Sequence, residues 1–423
     1  MLRKIIRNNK TVFSNTFYLT LIQVIALLVP VVALPYVISV IGKELYGQIV
    51  FTQSIAIFFF LIVNFGLDIS AVKDIAQNRN NSDRLSEIVS TVYSLKGLLF
   101  LLSGICYGIM VIAIPSFHEQ ALLFFIVYMG AVGEVLFPTW FFQGLERMAM
   151  ITVVRFIAIA FYFSTVFFVV KKTDDYIYVP LLQVTGTILS GIVGFILVLR
   201  KYHVKLLPPP QKVLILSFRE SAPFFMSRIS YTANSHIAKI VSGISLGMNE
   251  VTIFDIAKKI IDVAFLPLSM LNQAVYPHNA GLQDRRYAAK FMWIIAGAGL
   301  VVITTVYLLA PFGVRYFIGE AMPEAITIVR CLCLYIFFGA FSNYTGAPVL
   351  VAFGHPKPFN VSCYLSTAVL LCIYGVLYIT DTFSLINFAM ALVISELVIL
   401  AYRLYFCFRY KTFSVHGQPT PTV

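Results

Sequence analysis

The sequence predicts an all-α integral membrane protein with about twelve transmembrane helices, arranged as two six-helix bundles related by a parallel repeat around a central cavity. Two observations support the class. Of the 423 residues, 59% are hydrophobic and 12% are charged, whereas a soluble domain carries roughly 25% charged residues. Apolar runs of about 20 residues, the length that spans a bilayer, recur from Phe13 almost to the C-terminus. These runs leave no room for a separate soluble domain.

Each predicted helix is an apolar run bounded by polar, glycine or proline residues. The ranges are 13–41, 46–70, 86–114, 121–143, 150–170, 177–199, 217–243, 250–276, 288–312, 325–350, 359–380 and 384–407.

The distribution of basic residues predicts the orientation in the membrane. With the N-terminus inside, most Lys and Arg residues fall in cytoplasmic loops or at cytoplasmic helix ends, Arg403 among them. The outer loops receive only Lys43, Lys171, Lys172 and Arg315. Because cytoplasmic loops are enriched in basic residues, we expect a multi-pass membrane protein with both termini in the cytoplasm. The same bias accounts for most of the net charge of +12, so it does not indicate a nucleic-acid partner.

A proline-containing segment near the middle of the chain predicts the domain boundary. Residues 206–216 include Pro208, Pro209 and Pro210, and a proline run cannot continue a helix. We therefore predict an N-terminal six-helix bundle over 1–205, a cytoplasmic linker over 206–216 and a C-terminal six-helix bundle over 217–423.

Two short matches at nearly equal spacing indicate a weak internal repeat. The segment Pro138–Gly144 resembles Pro348–Gly354 at an offset of 210 residues, and Glu44 corresponds to Glu250 at an offset of 206. An even number of helices in each half makes the repeat parallel. Such halves pack about an axis along the membrane normal, with the substrate site between them.

The predicted helices 217–243 and 250–276 each carry a polar stripe along one face. At about 100° per residue, the stripe of the first helix contains Arg228, Thr232, Ser235, Lys239 and Ser242. That of the second contains Asp255, Lys259, Asp262 and Gln273, with Lys258 on its shoulder. A charge at the bilayer centre costs from about 2.5 to more than 10 kcal/mol, depending on the method. Several charges on one line therefore favour a face that lines water or a polar ligand.

Other predicted helices contain single charges among apolar neighbours. These residues are Asp68, Lys96, Glu134, Arg155, Arg330 and Glu396. For each of them, an interhelical ion pair or a side chain that reaches the interface is at least as good an explanation as contact with a ligand.

The sequence lacks the motifs that would indicate catalysis or a cofactor. It contains no nucleotide-binding glycine loop, no Gly-x-Ser-x-Gly elbow and no metal-binding His-Glu-x-x-His sequence. The six cysteines lie in apolar runs without the spacing of metal ligands. We therefore predict a protein that binds and moves a substrate rather than an enzyme, with no cofactor and no metal.

Several stretches resemble the Wzx-type polysaccharide (O-antigen repeat unit) flippases of the multidrug/oligosaccharidyl-lipid/polysaccharide exporter superfamily. The resemblance covers nearly the whole chain in the same order, and its most specific part lies within Pro138–Arg147. The other parts are Tyr46–Gly47 leading to Asn64–Asp74, Asp174–Tyr176 with Pro180–Leu182, and Phe254–Ile260 continuing to Gln273 and Pro277.

The resemblance implies two six-helix bundles around a central cavity that opens alternately to each side. The implied substrate is an undecaprenyl-pyrophosphate-linked oligosaccharide repeat unit, moved to the outer leaflet with coupling to an ion gradient. A polymerase and chain-length machinery are the implied partners.

A lipid-linked diphosphate needs basic counter-charge to cross hydrocarbon. We predict that Arg228, Lys239 and Lys259 bind it, with Lys258 assisting. The further basic candidates are Lys96, Arg155 and Arg330. The acids predicted to provide counter-charge or ion coupling are Asp68, Glu134, Asp255, Asp262 and Glu396.

Two alternatives remain open from the sequence. One is a multidrug or other lipid-linked-substrate exporter of the same superfamily. The multidrug form of this alternative is disfavoured because the cation-coupled multidrug members carry an acid in the first helix, whereas Thr11–Gly42 contains no charged residue. The other is a membrane polysaccharide polymerase, which would need a long outer loop that the predicted topology lacks.

Overall fold

The computed structural model describes residues 10–320 and 322–413. Within those residues every regular element is helical and no strand occurs, which confirms the predicted all-α class. The α-helices are α1 Lys10–Ile41, α2 Lys43–Asn64, α3 Leu67–Gln77, α4 Ser82–Ala113, α5 Pro115–His118, α6 Ala121–Leu136, α7 Thr139–Gly144, α8 Met148–Val169, α9 Tyr178–Lys201, α10 Gln211–Ser245, α11 Met248–Leu282, α12 Arg285–Ile318, α13 Pro323–Tyr344, α14 Pro356–Ile379 and α15 Leu385–Arg409. A 3₁₀ turn at Thr173–Ile177 precedes α9, and a π-helical segment at Thr345–Val351 follows α13.

Ten helical segments of the described chain are long and apolar enough to cross a membrane: Val24–Ile41, Lys43–Gln77, Ser82–Ala113, Ala121–Gly144, Met148–Val169, Thr173–Lys201, Arg285–Ile318, Pro323–Val351, Pro356–Ile379 and Leu385–Arg409. Helices α10 and α11 add 35 residues each, a length of about 52 Å at 1.5 Å per residue. They carry the two predicted polar stripes. The exact number of crossings and the internal repeat remain predictions.

Three of the predicted helices are broken in the structure. The predicted helix 46–70 divides into α2 and α3 at Phe65 and Gly66, whose φ angles of 40° and 73° lie in the left-handed region. Pro138 separates α6 from α7, since proline cannot continue the hydrogen bonding of a helix. The predicted helix 325–350 ends in the π-helical segment, where Gly346 has a non-helical ψ of −105°.

The chain divides into two compact units, Met1–Ile229 and Ser230–Val423. The sequence predicts the domain boundary in the linker 206–216, whereas the boundary between the two compact units lies inside α10, between Ile229 and Ser230. The N-terminal part of α10 belongs to the first unit because it packs on the break between α2 and α3. There the Phe65 ring stacks on those of Phe218 and Phe225, whose centroids lie 4.1 and 4.5 Å, respectively, from the centroid of Phe65.

In the first unit, the motif within Pro138–Arg147 is a packing motif at the end of α6. Trp140 and the two phenylalanines that follow it are buried. A Cβ on Gly144 would lie 2.6 Å from Ile75, so only glycine allows α7 to approach α3 this closely. Arg79 donates hydrogen bonds to the Gly144 carbonyl (2.8 Å) and to Glu146 (2.6 Å). This contact with a guanidinium holds the pKa of Glu146 below its usual range.

In the second unit, a buried arginine holds three helices together. Arg403 on α15 is 6% exposed. It donates to the Ser342 carbonyl on α13 (2.7 Å) and to the Ser362 hydroxyl on α14 (2.8 Å). The Ser342 hydroxyl in turn donates a hydrogen bond to Glu396, which lies two turns before Arg403 on α15. Arg403 is thus a buried polar anchor and not an exposed side chain at a helix end.

Gly66 offers a direct test of how α10 packs on the first unit. Its φ of 73° is left-handed, and a Cβ would lie 2.6 Å from the Ser221 carbonyl oxygen. We expect Gly66→Ala to lower the free energy of unfolding by at least about 1 kcal/mol, the cost of a left-handed alanine before any clash. Thermal melting in detergent measures the effect. Gly97→Ala is the control, because a Cβ there meets nothing within 4 Å; equal loss in both variants would contradict the expectation.

Candidate functional site

The charged residues of α11 and the C-terminal part of α10 form one cluster in the second unit. Lys239 donates to one oxygen of Asp255 (2.7 Å), and Lys259 donates to the other oxygen. Lys258 bonds Asp262 one turn further along α11. We call these five residues the lysine cluster. The structure therefore brings together five of the predicted site residues.

The geometry of the cluster follows from its two helices. Gly247, with φ 130°, ends the turn between α10 and α11, and the turn folds Lys239 back against the second turn of α11. Asp255 and Lys259 lie four residues apart, which places them on the same face of a helix. The same spacing joins Lys258 to Asp262.

The cluster carries an excess of positive charge. Three lysines and two aspartates give these five residues a formal charge of +1. The acid that two bases share is buried, since Asp255 is 2% exposed. One of those bases, Lys259, is 30% exposed and reaches the surface of the unit. Leaving a buried charge without a partner is costly. Because Asp255 contacts both Lys239 and Lys259, it would stay paired with one of them if the other moved away.

An aromatic side chain holds the third lysine in place. The Lys258 ammonium lies 5.1 Å from the ring centroid of Tyr335 on α13, within the range of a cation–π interaction. Lys258 is thereby held between Tyr335 and Asp262.

Arg228 lies in the first unit and not with the lysine cluster. Its guanidinium is 3.5 Å from one oxygen of Asp68 on α3. The other oxygen of Asp68 accepts from Lys96 on α4 (2.7 Å), which also donates to Asn64 (2.8 Å). Lys96 and Asp68 therefore form the interhelical ion pair that the sequence left open as an alternative to ligand contact.

Arg155 and Arg330 are exposed side chains that stack on aromatic rings. The Arg155 guanidinium lies 4.8 Å from the centroid of Phe137, and that of Arg330 lies 4.6 Å from the centroid of Tyr307. Glu134 is half-buried on α6. The structure joins none of these three to the lysine cluster within the described residues.

Glu396 contacts Ser342, which also accepts a hydrogen bond from Arg403, a residue that is not among the predicted site residues. Arg403 was assigned to the cytoplasmic end of its helix, yet it is buried and shares Ser342 with Glu396. The spacing of seven residues places both on one helix face, and that periodicity was the available signal. In the described part of the chain, no group of His, Cys, Asp and Glu residues is placed to hold a metal ion.

A family model described as polysaccharide biosynthesis protein matches residues 12–283. Among curated proteins, the chain is similar to a "Putative O-antigen transporter" of Escherichia coli (strain K12), with 22% identity over 408 residues that cover 94% of this chain and 97% of the relative. A protein of the same description from Shigella dysenteriae is 27% identical over 310 residues, which cover 70% of this chain and 77% of the relative.

Two solved structures share the fold. The inward-facing conformation of a multidrug resistance MATE family transporter of the MOP superfamily aligns with a TM-score of 0.72 and 16% identity, covering 92% of this chain and 96% of the other. The lipid II flippase MurJ in its inward closed conformation aligns with a TM-score of 0.68 and 12% identity, covering 95% and 89%. At these identities the likeness shows the fold alone.

Proposed function

The chain belongs to the polysaccharide biosynthesis protein family, and from that premise we propose that it is a flippase. The proposed substrate is an undecaprenyl-pyrophosphate-linked oligosaccharide repeat unit, moved from the cytoplasmic to the periplasmic leaflet of the bacterial inner membrane by alternating access. The O-antigen transporter descriptions of its relatives support this substrate class. The observation that carries the proposal is the buried Asp255 shared by two lysines, Lys239 and Lys259.

The lysine cluster would bind the diphosphate by exchanging one anion for another. When the site is empty, Asp255 satisfies both lysines. An arriving diphosphate would take Lys259, the more exposed of the two, while Asp255 stays paired with Lys239. A charge-assisted hydrogen bond contributes about 1.5–3 kcal/mol. The exchange therefore favours binding only when the free energy that the diphosphate loses by shedding water is smaller than this contribution.

The rest of the substrate places different demands on the protein. The polyprenyl tail would remain in the bilayer, since moving hydrocarbon from lipid into water is unfavourable. The sugars would follow the diphosphate through a wet path. An ion gradient would supply the free energy for transport, and Asp255 or Asp262 would bind the coupling proton or sodium ion. A polymerase and chain-length machinery would then act on the delivered unit in the periplasm.

The leaflet on which lipid-linked intermediate accumulates tests the function. Deleting the chain should leave the repeat unit on the cytoplasmic leaflet and remove surface polysaccharide. Deleting a polymerase would instead leave the unit on the periplasmic leaflet. Accessibility of the intermediate to an added glycan-modifying enzyme in sealed, oriented vesicles distinguishes the two. Periplasmic intermediate in the deletion strain would refute the flippase.

The multidrug alternative makes a different prediction. An exporter of small cations would raise drug resistance on overexpression and leave lipid-linked intermediates undisturbed. Drug susceptibility and surface polysaccharide, measured in the same deletion strain, separate the two functions.

A further inference from the structure

The first unit contains a second group in which one acid serves two bases. Asp68 uses one carboxylate oxygen for Lys96 and the other for Arg228. One acid and two bases give a formal net charge of +1, the same net charge as that of the lysine cluster. The group lies beside the break between α2 and α3. Asn64, the last residue of α2, belongs to it as well, because its side-chain oxygen accepts a hydrogen bond from Lys96.

The two bases are held very unequally. Lys96 is 1% exposed, and its ammonium lies 2.7 Å from Asp68 and 2.8 Å from Asn64. Arg228 is 39% exposed, and its contact with Asp68 is 3.5 Å long. A hydrogen bond at that distance is weak. Arg228 is therefore the base that can leave.

Releasing Arg228 would not orphan a buried charge. Asp68 would keep Lys96, and that pair is neutral and retains Asn64 as a further partner. Removing one member of a two-member buried pair is strongly unfavourable, but this group has three charged members. The arrangement allows Arg228 to exchange its anion at little cost.

Packing positions Arg228 independently of Asp68. Phe218, Ser221, Phe225 and Arg228 recur every three or four residues and so occupy one face of α10. The two aromatic rings of this face enclose Phe65, and the Ser221 hydroxyl lies 2.8 Å from that of Ser70. These contacts hold this part of α10 in place without involving the Arg228 guanidinium.

We propose that Arg228 is a second anion site, in the first unit, and that Asp68 is the internal anion that occupies it until a phosphate displaces it. The ligand class is a phosphate or diphosphate ester. Its identification as the diphosphate of the lipid-linked substrate rests on the proposed function, whereas anion binding itself does not. Arg suits this role because its planar guanidinium presents paired donors to phosphate oxygens.

Equilibrium binding of inorganic pyrophosphate to the purified full-length protein in detergent tests the site. We expect two saturable sites, and we expect Arg228→Gln to lose one of them while leaving the affinity of the other unchanged. Arg219→Gln removes the same charge from the exposed surface of the same helix and should keep both sites. Unchanged binding in Arg228→Gln, or no saturable binding by the natural protein, would overturn the proposal.

Removing the internal anion gives a result that a purely structural ion pair would not. Asp68→Asn should bind pyrophosphate at this site about tenfold more tightly, because a charge-assisted competitor is gone. If that variant does not accumulate, Asp68→Asn with Lys96→Met removes both buried charges together, a change that buried pairs often tolerate. Weaker or unaltered affinity in the folded variant would contradict the role of Asp68.

The two proposals can fail separately. Lys259→Gln should abolish the other pyrophosphate site and leave the Arg228 site intact. A natural protein that binds pyrophosphate only at the Lys259 site would refute this inference and leave the flippase standing. Cytoplasmic accumulation of the lipid-linked intermediate tests the flippase without reference to Arg228.

Discussion

Asp255→Asn should cause the largest loss of folded protein among single substitutions in the lysine cluster. It removes the acid that Lys239 and Lys259 share and raises the net charge of the cluster from +1 to +2. Breaking a buried pair by removing one partner costs about 3–5 kcal/mol, which is a large part of a typical stability of 5–15 kcal/mol. Abundance in the membrane and the melting temperature in detergent measure the effect.

A charge-balanced double variant is the matched control for this prediction. Asp255→Asn combined with Lys239→Met leaves two lysines and one aspartate in the cluster, so the net charge returns to +1. We expect abundance to recover most of its natural level, since replacing a buried pair by groups of similar volume is often neutral. If the single variant is as stable as the natural protein, Asp255 does not neutralise the two lysines in the way described.

Lys259→Gln should have the opposite profile, with normal abundance and little transport. Asp255 keeps Lys239 in this variant, so no buried acid is left alone, and the net charge of the cluster falls from +1 to 0. Loss of one charge-assisted bond to the diphosphate should reduce transport by about tenfold or more. Surface polysaccharide restored to a deletion strain, normalised to protein abundance, gives the measurement.

Two further variants make the Lys259 result specific. Lys212→Gln removes an exposed lysine near the start of α10 and should transport normally. Lys258→Gln should produce a smaller defect than Lys259→Gln, because Lys258 is already held by Asp262 and Tyr335. Normal transport by Lys259→Gln would remove this lysine from the substrate path.

Much of the site could be read from local sequence because its spacing is local. The pairs Asp255–Lys259 and Lys258–Asp262 are four residues apart on α11, and helical geometry alone predicts that such residues meet. The predicted family and the all-α class are confirmed for the same reason, since both depend on residue order and composition. The roles assigned to these residues remain predictions.

Partners from distant helices could not be read in this way. The stripe on α10 predicts that Arg228 and Lys239 face one direction, and nothing in that spacing shows that Arg228 contacts Asp68, 160 residues away. The burial of Arg403 was missed because its position near a helix end is also typical of a cytoplasmic basic residue. Its contacts lie 41 and 61 residues earlier in the chain.

The sequence by itself determined that this is a helical membrane protein of the polysaccharide biosynthesis family, with its charges concentrated on α10 and α11. Only the tertiary structure decided how those charges are shared, with Asp68 and Asp255 each serving two bases. The physical reason is range: hydrophobicity and helical periodicity act over neighbouring residues, whereas a buried ion pair depends on sub-ångström placement of helices that are distant in the chain.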